Sequence, residues 1–121
     1  MTWRVEFHRD FVPEFYALST NVQDEIAALV EKMRIIGPMM KRPRSDTLTG
    51  SRFANMKELR FEADNGVWRV AYAFDPTRRA ILLVARDKAG VSQKRFYKSL
   101  IQKTDQRFAS HLKELERRGS K

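Results

Sequence analysis

Two arginines, Arg60 and Arg69, lie nine residues apart in the stretch ELRFEADNGVWRVAY, Glu58 to Tyr72. Apolar residues alternate along both halves of this stretch, and Asn65-Gly66 between them is a strong hairpin signal. With Asn65-Gly66 as a two-residue turn, Asp64 pairs with Val67, Glu62 with Arg69, and Arg60 with Ala71. One face then carries Leu59, Phe61, Ala63, Trp68, Val70, Tyr72 and Phe74, which is the expected core. The other carries Glu58, Arg60, Glu62, Val67, Arg69, Ala71 and Ala73. In this register Arg69 is opposite Glu62 and diagonal to Arg60, at roughly 7–8 Å. Two planar guanidinium forks at that spacing can converge on one phosphate-sized anion, with the small Ala71 and Ala73 leaving room above the sheet. The competing reading is a surface ion pair between Arg69 and Glu62, worth about 0–1 kcal/mol.

The rest of the chain supplies elements to hold this hairpin. WRVEF, from Trp3, alternates as a first strand. Asp10 can cap a short helix over FVPEFYAL, with Pro13 in its first turn. Thr20 and Gln23 fit a capping box for a second helix, whose Val22, Ile26, Leu29, Val30 and Met33 have helical spacing and which ends at Gly37-Pro38. Residues 38–55 hold prolines and glycine without a period and read as a long loop made basic by Lys41, Arg42, Arg44 and Arg52. Three strands follow, at about 56–63, 67–74 and 80–86, with a turn at Asp75-Pro76. AILLVA, Ala80 to Ala85, is apolar on both faces and so reads as a central strand. From about Ser92 a helix places Tyr97, Leu100, Ile101, Thr104, Phe108, Leu112 and Leu115 on one stripe, with Lys94, Lys98, Arg107 and Lys113 off it. The tail, 118–121, reads as frayed. The expected order is β-α-α-β-β-β-α, a single α+β domain over residues 1–121 with a mainly antiparallel sheet.

Composition narrows the function classes. Among 121 residues, 42% are hydrophobic, with eight Phe, two Trp and three Tyr, enough for a packed core. The longest apolar run is six residues, far short of the roughly 20 a membrane helix needs, and MTWRVEFHRD is unlike a secretion signal. The expected setting is the cytoplasm. With no cysteine there is no disulfide framework and no thiolate metal site. The 24 Lys+Arg against 15 Asp+Glu give a net charge of +9. That charge is segregated, from −4 over residues 1–31 to +6 over 32–60 and +7 over 86–121. Segregated positive charge points to a polyanionic partner; plain solubility is the alternative.

MKELRFEADNGVWRVAY, then ILLVARDKAG and the KRFYKSL helix start, resemble the RelE/ParE superfamily of bacterial toxins from type II toxin–antitoxin modules, in particular its HigB-like, phage-related branch. The resemblance covers nearly the whole chain in element order. It implies a ribosome-dependent endoribonuclease that stops translation by attack of an mRNA 2′-hydroxyl on the adjacent phosphate, without a metal or other cofactor. Such a site needs cations where charge develops on the phosphoryl oxygens. Carried over residue by residue, the resemblance makes Arg69 the phosphate clamp and Arg60 a second clamp or positioning residue. Arg86 and Lys88 would stabilise the leaving group or hold RNA, and Tyr97 would stack on a base or exchange protons. RNA would also be gripped by Lys41, Arg42, Arg44 and Arg52 of the basic loop, by Lys94, Arg95 and Lys98, and by Lys57 if it reaches around the strand end. The histidines some relatives use have no counterpart: His8 and His111 read as structural. The implied partners are a cognate antitoxin, mRNA and ribosomal RNA, with no membrane. Two other functions fit the same fold: a ParE-like toxin that inhibits DNA gyrase, and a non-enzymatic nucleic-acid binder.

Overall fold

A five-stranded sheet runs through the middle of the molecule, and both of its faces are covered by helices. The structure is a computed structural model that describes residues 2–119. The strands are β1 (Arg4–Phe7), β2 (Ser45–Thr47), β3 (Lys57–Ala63), β4 (Gly66–Phe74) and β5 (Arg79–Asp87), and the helices are α1 (Phe11–Ala17), α2 (Thr20–Ile36) and α3 (Gln93–Gly119). The spatial order is β1-β5-β4-β3-β2. All pairings are antiparallel except β1 with β5. The α+β class and the mainly antiparallel sheet are as expected, and β5 is interior, as its two-sided apolar character requires.

The 38–55 segment departs from the expected open loop. A 3₁₀ turn, Gly37–Met39, opens it, and its middle contains β2, a short edge strand paired with β3. Ser45, in β2, is anchored by its hydroxyl, 2.6 Å from that of Tyr72 in β4, and both residues are buried. Gly37 has φ of +52°, and a Cβ there would collide with the Trp3 indole, so only glycine both ends α2 and admits the ring. The α2 cap is Ser19, not Thr20: its hydroxyl accepts from the Val22 amide at 3.2 Å. Gln23 turns back to the Leu18 carbonyl instead of closing a capping box.

The hairpin turn is shifted by one residue. Asp64 and Asn65, with φ of +52° and +59°, form the tip, and Gly66 pairs with Ala63. Asp and Asn tolerate this left-handed backbone. Asp64 is further held there by the Ser19 hydroxyl and the Asn21 amide. Gly66 is needed elsewhere: a Cβ on it would lie 2.7 Å from an Asp87 carboxylate oxygen. The pairing therefore moves by two residues, which preserves the face of every side chain. Its cross-strand partners all change, so that Arg60 is opposite Arg69, and Glu62 is opposite Val67.

The first core, between the sheet and α1 and α2, contains Phe11, Ile26, Met33, Leu59, Phe61, Val70, Tyr72 and Leu82. The second lies under α3 and contains Leu48, Met56, Ala71, Ala73, Ile81, Leu83, Phe96, Leu100 and Phe108. Ala71 and Ala73 are thus not floor beneath open space; α3 packs directly on them. Arg107, expected on the solvent side of α3, is buried. Its guanidinium donates to the Leu83 carbonyl at 2.7 Å and to Glu14 of α1 at 2.9 Å. Arg118 and Gly119, placed in the frayed tail from sequence, are helical, while Ser120 and Lys121 lie outside the described residues. No helix among the described residues is long and apolar enough to cross a membrane.

Candidate functional site

The corrected register aligns three arginines across three neighbouring strands. Arg60 of β3 pairs with Arg69 of β4, and Arg69 pairs with Arg86 of β5. All three project from the face that carries the second core, at the end of the sheet where α3 begins. Directly opposed like charges destabilise a sheet unless something compensates them. The compensation comes from Glu58, two residues before Arg60 and on the same face.

Glu58 is 3% exposed. Its Oε1 lies 3.0 Å from Arg69 Nε and accepts the Tyr97 hydroxyl at 2.8 Å, while Oε2 is 3.7 Å from Arg60 Nη2. Tyr97 also accepts a hydrogen bond from Arg69 Nε at 3.0 Å, closing a triangle of carboxylate, guanidinium and phenol. Burial raises the Tyr97 phenol above its ordinary pKa; Arg69 opposes the rise and Glu58 adds to it. The phenol is therefore neutral at physiological pH and holds a proton it can pass on. Tyr97 meets the ring of Phe96 edge-on, so it belongs to the α3 packing as well as to this triangle. The expected Arg69–Glu62 pair does not form, because Glu62 has moved out of register.

Beside the triangle lies a groove of about 500 Å³, lined by Arg42, Asp46, Glu58, Arg60, Lys94 and Tyr97 among others. Asp46 Oδ2 sits 3.0 Å from Arg42 Nε and 3.3 Å from Arg60 Nη2. A backbone hydrogen bond from Thr47, and then Arg42 and Arg60, hold the Asp46 carboxyl below its usual pKa. The Nε of Arg60 is buried and has no partner among the described residues. The arrangement is a cationic cleft with one buried carboxylate and one phenol at its floor, suited to binding an anion and moving a proton next to it.

Of the residues singled out from sequence, Arg60, Arg69, Tyr97, Arg42 and Lys94 converge here. Arg86 continues the arginine row toward α1, where it and Arg107 depress the Glu14 pKa, the direct hydrogen bond from Arg107 being the larger cause. Lys88, half-buried, extends the β5 ladder through its backbone, donating to Val67. Lys41 and Arg44 are exposed on the segment leading into β2, and the Arg44 carbonyl accepts the Arg60 amide at 2.8 Å. Arg95 and Lys98 are exposed on the first turns of α3. Two residues lie apart. Arg52 stacks over Phe53 at 5.0 Å and lines a separate groove along α3 with Lys113 and Arg117. Lys57, opposite Tyr72, is on the other face of the sheet. His8 and His111 are remote from the arginines: His8 is buried and accepts the Asp10 amide, and His111 is 2.8 Å from the buried Asp75. Sequence reasoning assigned no role to Glu58 or Asp46. Alternation already placed Glu58 on the arginine face, and that was the available signal.

The profile of the family described as "Phage derived protein Gp49-like" matches residues 13–109, most of the chain. The chain belongs to this family. Two curated relatives, both from Mycobacterium tuberculosis, agree. The protein named "Putative toxin HigB3" is 41% identical over 93 residues, covering 77% of this chain and 79% of that one. The one named "Putative toxin HigB2" is 38% identical over 100 residues, covering 82% of this chain but 49% of the longer relative. A solved structure of an E. coli RelE toxin mutant in the free state superposes with a TM-score of 0.59 at 12% identity, covering 85% of this chain and 97% of RelE. That likeness is one of fold. The Gp49-like chain is accordingly a toxin of a toxin–antitoxin module, HigB-like in sequence and RelE-like in architecture.

Proposed function

We propose that this toxin inhibits translation by cutting mRNA on the ribosome, using the arginine row as its phosphate site. The observation that carries the reading is the alignment of Arg60, Arg69 and Arg86 across three strands, with one buried carboxylate holding Arg60 and Arg69 and one neutral phenol bonded to Arg69. Internal attack by a 2′-hydroxyl on the neighbouring phosphate builds negative charge on the non-bridging oxygens. Guanidinium groups fixed in advance stabilise that charge without reorganising. Arg69 is the most firmly fixed of the three, held by Glu58 and Tyr97, and is the principal clamp; Arg60, next to it, is a positioning residue on the β2 side.

The proton of the attacking hydroxyl needs an acceptor, and no histidine lies at the site. The chain Tyr97 to Glu58 supplies one. As the substrate hydroxyl gives its proton to the Tyr97 oxygen, Tyr97 passes its own to Glu58 across 2.8 Å. Arg86, next in the row, and Lys88, just beyond it on the same strand end, are assigned to take up charge on the departing 5′-oxygen. Arg42 and Lys94 line the cleft, and with the exposed Lys41, Arg44, Arg95 and Lys98 on the same two segments they would engage RNA phosphates on either side. A cognate antitoxin is the implied partner, and the cytoplasm is where this target is found.

The test is primer extension on mRNA after induction of the toxin. Cuts confined to translated frames, and lost when the start codon is removed, support the reading. Intact mRNA with inhibited supercoiling by purified DNA gyrase would replace it with the gyrase-directed alternative.

A further inference from the structure

Asp46 is an acidic residue in the middle of a cationic groove, and its situation differs from that of Glu58. The two carboxylates are directly opposite each other across the β2–β3 ladder. Directly opposed like charges cost stability. Glu58 is buried and bound by Arg69 and Tyr97. Asp46 lies on a three-residue edge strand, its side chain is 25% exposed, and one of its two arginine partners, Arg42, is 77% exposed. A single oxygen, Oδ2, receives both guanidinium groups, at 3.0 and 3.3 Å. Packing does not require a carboxylate at this position. Two arginines converging on one oxygen is the donor arrangement that binds a phosphoryl oxygen.

We propose that Asp46 occupies and masks a phosphate subsite, formed by Arg42 and Arg60, that takes an RNA phosphate next to the one held at Arg69. The subsite rests on the nucleic-acid reading of the groove given above. Only RNA held in register displaces the Asp46 side chain, and the edge strand then lets Arg42 re-aim its fork at the incoming phosphate. Asp46 therefore weakens binding of free RNA and leaves tight binding to substrates presented with several phosphates in register.

The experiment uses the purified toxin and a short RNA carrying 2′-O-methyl groups throughout, which cannot be cleaved, so binding is read independently of catalysis. Asp46→Asn should bind this RNA about three- to tenfold more tightly at low salt. The slope of log affinity against log salt should steepen by about 0.7, the increment for one more phosphate on a single strand. Adding Arg42→Ala should abolish the gain. Equal or weaker binding by Asp46→Asn, with its circular dichroism and urea midpoint retained, would overturn the proposal and make Asp46 a brace for the two arginines. A gain on a poly-glutamate peptide but not on RNA would also overturn it, assigning the subsite to an acidic protein. Should Asn at this position disturb the edge strand, Asp46→Ser makes the same comparison. A gain by Asp46→Asn alongside a wild-type protein that makes no ribosomal cuts would keep the subsite and discard the nuclease.

Discussion

Replacing Glu58 by glutamine isolates the charge that holds the arginine row together. The change preserves shape and one acceptor oxygen but removes the negative charge and adds an amide donor facing other donors. Arg69, with a side chain 12% exposed, loses its buried counter-ion, and Arg60, 34% exposed, loses a more distant one. Hydrogen bonds to charged groups contribute about 1.5–3 kcal/mol each. Loss of one partner of a fully buried pair costs about 3–5 kcal/mol. Water takes over much of the solvation of Arg60, so its share is small. A loss of about 2–4 kcal/mol follows, nearly all of it from the Arg69–Glu58–Tyr97 triangle. The assay is urea unfolding followed by tryptophan fluorescence, with an unchanged m-value as the check that both states keep their compactness. In thermal unfolding the same loss corresponds to a drop in Tm on the order of 10 °C for a domain of this size. Combining Glu58→Gln with Tyr97→Phe should show a coupling of about 1–2 kcal/mol, because the two substitutions break one shared hydrogen bond. A Glu58→Gln loss below about 0.5 kcal/mol would refute the claim that this carboxylate organises the site.

Two further outcomes follow from the same contacts. Tyr72→Phe should cost about 1–2 kcal/mol by leaving the buried Ser45 hydroxyl unpartnered, and amide exchange in β2 should quicken selectively; uniform exchange changes would place the loss in the core instead. Stability should also fall with acid. Burial lowers the His8 pKa, against an opposing effect of Asp10, so below about pH 6.5 the unfolded chain takes up a proton there that the native state refuses. Burial pushes Asp75 upward, but hydrogen bonds from His111, Thr77 and Arg79 outweigh it, so a second decline sets in below about pH 4. Urea midpoints from pH 7.5 to 3.5 should show both stages, with His8→Gln removing the first; a wild-type midpoint unchanged between pH 7 and 5.5, and matched by that variant, would contradict the assignment.

The hairpin shows what could be read in advance and what could not. Strict alternation in β3 and β4 assigned every side chain to its correct face, and a two-residue slip cannot alter a period of two. The slip itself was decided by contacts distant in sequence, between Asp64 and α2 and between Gly66 and Asp87, which no local pattern reports. Ala71 and Ala73 looked like open floor because a hairpin considered alone has one buried face; α3 makes the second. Arg107 follows the same logic. It sits seven residues from Leu100, an inward position on a helix, but its charge argued for solvent, and the Leu83 carbonyl that receives it is visible only after folding. β2 is too short, and too close to Pro43, to show any period. Glu58 stood on the arginine face from the start, yet nothing local distinguishes a buried organiser from a surface acid.

Arg69 is the centre of the proposed phosphate site. Purified toxin should be mixed with programmed ribosomes, and the first-turnover rate of mRNA cleavage compared between the wild type and Arg69→Ala, with the variant's fold verified by circular dichroism. Removing one preorganised donor from such a site costs about 10²–10³ in rate. The structure predicts a loss of at least about 100-fold; cleavage by Arg69→Ala within about threefold of the wild type would contradict it.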